Sequence, residues 1–164
     1  MLKIVPSFWF DKDAEEAMNF YVSVFRNSPS KDAADSDIIH IERYPRGYTE
    51  GPLANMEGKV LTGIFKLVGQ RFMALDGGPL FRFTEAVSFV VECEDQAEID
   101  YFWGKLSAAK ESEQCGWLKD KFGLSWQIVP KNMGQLIQTR EAMDAMMKMK
   151  KIDIAELKAA SKKS

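Results

Sequence analysis

The feature that most restricts how this chain of 164 residues can fold is that it repeats itself. A shift of 82 residues lays Asp13, Ala17, Phe20, Tyr21 and Val24 on Asp95, Ile99, Phe102, Trp103 and Leu106. The same shift lays the first aromatic-rich segment, residues 3–10, on residues 85–92. A shift of 54 lays Gly69 and Phe72 on Gly123 and Trp126, because the second half has a shorter middle. Each half reads as a strand, a helix, then two or three strands. Apolar positions recur at helical spacing through Ala17, Phe20, Tyr21, Val24 and Phe25, and alternate in the strands. A small sheet with one helix leaves its second face bare, and pairing two halves covers it. The fold class is therefore α+β. The expected boundaries are 1–80 for the first module, 81–130 for the second and 131–164 for a helical extension, all in one compact domain.

Local signals place the ends of these elements. Asp13 with Glu16, and Asp153 with Glu156, have the spacing of an acidic capping box. Asp95 opens the second helix. The segment from Pro45 to Gly58 holds Gly47, Gly51, Pro52 and Gly58 and reads as a long surface loop. In the extension, Met143, Met146 and Met147 form a helical stripe, which predicts core packing. The lysines near the end predict a solvated terminus.

Composition removes several function classes. With 22 basic and 24 acidic residues the net charge is −2, so no basic surplus calls for nucleic acid or anionic lipid. No run approaches the roughly 20 apolar residues of a membrane span, and the first residues lack the pattern of a secretory leader. The expectation is a cytoplasmic protein with Cys93 and Cys115 reduced. One histidine and two cysteines leave little for a zinc site.

Three stretches carry a family resemblance. Trp9-Phe10-Asp11, followed by Ala14 to Tyr21, resembles the opening of PhnB-like proteins. The stretch Gln114-Cys115-Gly116-Trp117-Leu118-Lys119-Asp120-Lys121-Phe122-Gly123-Leu124-Ser125-Trp126-Gln127 resembles their most recognisable segment. Met146 to Ile154 resembles their C-terminal signature. The family lies in the glyoxalase/vicinal oxygen chelate superfamily and is sometimes labelled demethylubiquinone methyltransferase. The resemblance implies paired βαβββ modules, a small-molecule cavity between cupped sheets, and a homodimer.

It also implies where metal ligands would stand, on the first and last strands of each module. Those positions here are Pro6 and Met73, then Ser88 and Gln127. None offers the imidazole or carboxylate donors a divalent ion favours, and Met is a soft ligand. No metal and no other cofactor is expected. A nucleotide or S-adenosylmethionine site needs a glycine-rich strand-to-helix turn, which this sequence lacks.

The cavity-lining candidates are Phe8, Met73, Ser88, Val90, Cys115, Trp117, Ser125 and Gln127. They are mostly apolar with a few hydroxyl and amide groups, which suits a modest apolar or mixed ligand. Trp9 alternates to the opposite side from Phe8. Phe72, Trp126, Tyr21, Trp103 and Cys93 are expected beneath the helices. His40 lies on an exposed strand with no partner carboxylate evident from spacing. Three functions follow. The first is metal-free small-molecule binding. The second is a vicinal oxygen chelate enzyme (lyase, dioxygenase or thiol transferase) with unorthodox ligands. The third is a protein-interaction module using the Met/Lys helices.

Overall fold

The computed structural model describes residues 1–163 and divides into two compact units, Met1–Arg82 and the chain from Phe83 onward. The first unit contains β1 (Ser7–Phe10), α1 (Ala14–Arg26), β2 (Asp37–Arg43), β3 (Val60–Leu67) and β4 (Gln70–Asp76). Its sheet runs β1-β4-β3-β2, with β1 parallel to β4 and the other pairs antiparallel. The second unit contains β5 (Ser88–Cys93), α2 (Gln96–Leu106), a 3-10 turn at Lys110–Ser112, β6 (Trp117–Lys119) and β7 (Ser125–Pro130). Its sheet runs β5-β7-β6, again with a parallel first pair. Three helices follow: α3 (Met133–Leu136), α4 (Arg140–Lys148) and α5 (Ile154–Ser161). This is the α+β organisation that the repeat implies. The second unit has two strands after its helix where the first has three. Between α2 and β6 (107–116) there is room only for the 3-10 turn, whereas the longer stretch between α1 and β3 (27–59) also holds β2.

In the first unit one sheet face packs under α1. Phe8, Phe65 and Phe72 converge there with Tyr21, with ring centroids 5.4 to 6.5 Å apart. Gly63 lets the helix approach. A Cβ added there would sit 2.5 Å from the Met18 sulfur, so a larger residue fits only if the Met18 side chain shifts. Arg43 ties β2 to α1 through a bidentate pair with Glu15, both contacts at 2.8 Å, which holds the Glu15 carboxyl below its ordinary pKa.

The N-terminus of α1 is capped otherwise than the sequence predicts. The Asp13 side chain accepts no capping hydrogen bond. The acceptor is Asp76, at the end of β4, whose Oδ1 takes the Ala14 N–H at 2.9 Å and whose Oδ2 takes the Val60 N–H at 2.9 Å. Asp95 and Asp153 do cap, accepting from the Glu98 and Glu156 amides.

The repeat is genuine but its phase slips. The buried positions Ala17, Met18, Tyr21 and Phe25 of α1 match Glu98, Ile99, Phe102 and Leu106 of α2, one residue earlier than the 82-residue shift. Tyr21 therefore corresponds to Phe102. Trp103, expected in the core, is half-buried at the helix flank. The first strands slip the other way: Met73 pairs with Ser7, whereas Gln127 pairs with Val90. Phe72, Trp126 and Cys93 are buried as expected, and burial pushes the Cys93 thiol up to about 12.

The extension forms its own core of Leu136, Met149, Ile152 and Leu157. The Met stripe splits, with Met146 packed against that core and Met143 and Met147 exposed. The Gln96 amide at the start of α2 holds the extension. Its Nε2 donates to the Ile152 carbonyl at 3.0 Å and its Oε1 accepts from the Ile154 N–H at 2.9 Å. Gln96→Ala should cost about 1–3 kcal/mol. Amide exchange between Met149 and Leu157 should accelerate first, and unchanged exchange there would contradict the tether.

Candidate functional site

Ladder partners project to the same face of a sheet, so register assigns every strand residue to a side. In the second unit Phe89, Trp126 and Leu118 form one cross-strand row beneath α2, and Val91 and Ile128 form the next. The opposite, helix-free face carries the row Ser88–Ser125–Lys119 and beside it the row Val90–Gln127–Trp117. Five of the residues read from sequence as cavity-lining, Ser88, Val90, Trp117, Ser125 and Gln127, are thus neighbours on one surface.

The chemistry of this face is specific. Gln127 Nε2 donates to Ser88 Oγ at 2.9 Å. The Lys119 ammonium pairs with the Glu85 carboxylate, just before β5. Ser125 is 1% exposed, and its hydroxyl has no hydrogen-bond partner. A buried polar group left unpaired costs about 1–3 kcal/mol, so such groups are rare and usually have a reason. Alternation of residue types reveals the face, but nothing in the sequence marks Ser125 as unpaired or Lys119 as its neighbour. Those facts depend on pairing between strands.

The remaining candidates lie elsewhere. Met73 is on the helix-free face of the first sheet, in the row Ser7–Met73–Ile64–His40. Phe8 is not on that face. Parallel pairing sets it beside Ala74, and it is buried under α1. Trp9 takes the helix-free side instead, beside Leu75, with its indole donating to the Gly78 carbonyl at 2.9 Å. Gly77 lies under that ring, where a Cβ would come within 2.2 Å of it. Cys115 is in neither sheet. It sits in a turn with φ of +50°, its N–H bonded to the Met149 carbonyl at 2.9 Å and its sulfur 4.0 Å from that of Met147. It belongs to the seam between β6 and the extension.

The positions at which the superfamily implies metal ligands do not fit a divalent ion. Ser88 and Gln127 present a hydroxyl and an amide already bonded to each other. Pro6 offers a carbonyl that accepts from the Met73 N–H at 2.8 Å, and Met73 adds only a thioether. Among the described residues no three of His, Cys, Asp or Glu cluster in a way that could hold a metal.

A concavity of about 500 Å³ lies in the first unit, between the starts of α1 and β3. Among its acidic groups, Glu15 pairs with Arg43, Glu57 pairs with Arg46, and Asp76 accepts from two backbone amides. These contacts hold the fold together, so the groove ranks below the second sheet as a site.

Comparison with known proteins agrees with this architecture. Residues 2–129 match the family model described as 3-demethylubiquinone-9 3-methyltransferase. A putative 3-demethylubiquinone-9 3-methyltransferase, PhnB protein, from Bacillus cereus is 38% identical. The match covers 78% of this chain and 99% of that one, with a TM-score of 0.60. Protein PA1353 from Pseudomonas aeruginosa is 16% identical over 79% of this chain and 98% of its own, with a TM-score of 0.57, a likeness of fold alone. A search among curated proteins found no match.

Proposed function

This chain belongs to the PhnB-like family that carries the 3-demethylubiquinone-9 3-methyltransferase label, and from that premise we propose that it binds a small organic molecule on the helix-free face of its second sheet, without a metal ion. The observation that carries the proposal is the unpartnered, buried Ser125 hydroxyl beside Gln127, Ser88 and the apolar surface of Trp117 and Val90. A few aimed polar groups on an otherwise apolar surface are what a small-molecule site needs. Methyl transfer is not part of the proposal. The strand-to-helix turns are Asp11-Lys12-Asp13 and Glu94-Asp95, acidic and without glycine, which suits no nucleotide-like cofactor. The proposal includes a homodimer, as the resemblance implies, and a cytoplasmic location.

Native mass spectrometry of gently purified protein tests this reading. A dimer carrying an organic adduct is expected. One stoichiometric divalent ion per chain would overturn the metal-free part. Ser125→Ala gives an independent check. In protein stripped of ligand it should be neutral or stabilising by up to about 1 kcal/mol, because it removes an unsatisfied hydroxyl. In loaded protein the same change should release the adduct. A loss of more than about 1 kcal/mol in the stripped state would mean that the hydroxyl has a structural partner.

A further inference from the structure

We infer that the ligand of the second sheet carries a carboxylate, and that the Glu85 side chain holds that group's place on Lys119 until the ligand arrives. This inference rests on the binding proposal above and names the ligand's chemical class.

The row Ser88–Ser125–Lys119 crosses three adjacent strands, so the central serine has a hydroxyl on one side and an ammonium on the other. Cβ atoms of directly opposed residues lie about 5 Å apart, which brings the Ser125 hydroxyl and the Lys119 stem within the span of one small group. Lys119 is held against the sheet, with its side chain 27% exposed, while that of Glu85 is 62% exposed. Glu85 comes from the short segment before β5, where a turn is closed by the Val87 N–H on the Thr84 carbonyl. It reaches Lys119 and leaves Ser125 unsatisfied.

The weakness of the ion pair and the number of donors decide the direction. An ion pair as exposed as Glu85–Lys119 is worth about 0–1 kcal/mol, so displacing it costs little. A ligand carboxylate accepts from the Lys119 ammonium and also from the Ser125 hydroxyl, which Glu85 leaves without a partner. One ammonium and one hydroxyl match the two oxygens of a carboxylate. A phosphate dianion has three oxygens and twice the charge, and this row provides no second cation for it. The Val90–Gln127–Trp117 row then supports an apolar or aromatic body attached to that carboxylate.

The test uses phenylacetate and its neutral analogue phenylacetamide as probes, titrated into the full chain with backbone amide NMR as the readout. Phenylacetate should shift the Lys119 and Ser125 amides and bind about tenfold more tightly than phenylacetamide, the scale of one charge-assisted hydrogen bond. Glu85→Gln frees Lys119 and should tighten phenylacetate several-fold while leaving phenylacetamide unchanged. Lys119→Met should abolish the preference for the anion. Equal binding of the two probes at these residues, with no effect of Glu85→Gln, would overturn the carboxylate inference and leave the binding proposal standing. No perturbation of this face by either probe at millimolar concentration would overturn both.

Discussion

Asp120→Ala should destabilise the second unit by about 3–5 kcal/mol. Asp120 is buried, and both of its oxygens accept hydrogen bonds. Oδ1 takes the Phe122 N–H at 2.8 Å and the Leu124 N–H at 3.1 Å, and Oδ2 takes the Trp126 indole N–H at 2.9 Å. The alanine variant leaves those donors without an acceptor, the Leu124 amide and the Trp126 indole in buried positions, at about 1–3 kcal/mol for each group left buried. It also loosens the β6–β7 turn, which sets the register of Lys119 against Ser125. Asp120→Asn should cost about half as much, because its amide retains one oxygen for the turn but presents N–H groups to the indole. Urea unfolding followed by 19F signals from fluorotryptophan resolves the effect. Trp103, Trp117 and Trp126 report the second unit, and Trp9 is the only tryptophan of the first. In a Trp126→Phe background the Asp120→Asn penalty should shrink. An undiminished penalty there would mean that the indole hydrogen bond contributes nothing.

The matching prediction for the first unit concerns Asp76. Removing its side chain in Asp76→Ala strands the Ala14 and Val60 amides, at the starts of α1 and β3, and should cost about 3 kcal/mol, read from the Trp9 signal. The pH dependence has a definite sign. Burial is the largest influence on this carboxyl and raises its pKa, against the lowering effect of the two amides. Between the ordinary carboxylate range and that raised value, the folded state holds a proton that the unfolded state has released. The contribution of Asp76 to stability is therefore full below the unfolded pKa and declines as pH rises through the folded pKa. The stability difference between the wild type and Asp76→Asn should accordingly move against the wild type as pH is raised from about 3 to 7. A difference moving the other way would show that the two amides outweigh burial.

Much of this fold is legible in residue order because helix and strand periodicities are local. The strand-helix-strand order of both halves, the capping by Asp95 and Asp153, and burial of Phe72, Trp126 and Cys93 follow from patterns a few residues long. So does the common face of Ser88, Val90, Ser125 and Gln127, because two-residue alternation is unbroken along β5 and β7, whereas Trp117 joins that face only through the pairing of β6 with β7. The misplacement of Phe8 and Trp9 has a different origin. Residues 7–10 are aromatic on both sides, so alternation of apolar and polar character does not tell the faces apart. Only the pairing of Phe8 with Ala74, across more than sixty residues of sequence, decides which ring enters the core.

The helix phase is a second case. The motif beginning at Asp13 and Asp95 aligns the two helices by their caps, yet the caps are made differently. Asp95 uses its own side chain, whereas the first helix receives its acceptor from Asp76 on another strand. Burial then follows packing against the sheet, which places Tyr21 with Phe102 and leaves Trp103 at the flank. The sequence by itself determined the α+β class, the doubled architecture and the family, since each is written in short-range pattern and motif. The tertiary structure alone decided that Asp76 caps α1, that Ser125 lies unsatisfied between Ser88 and Lys119, and that Cys115 joins the extension. Each of those is a contact between segments distant in the chain, and its energy depends on geometry that no local pattern encodes.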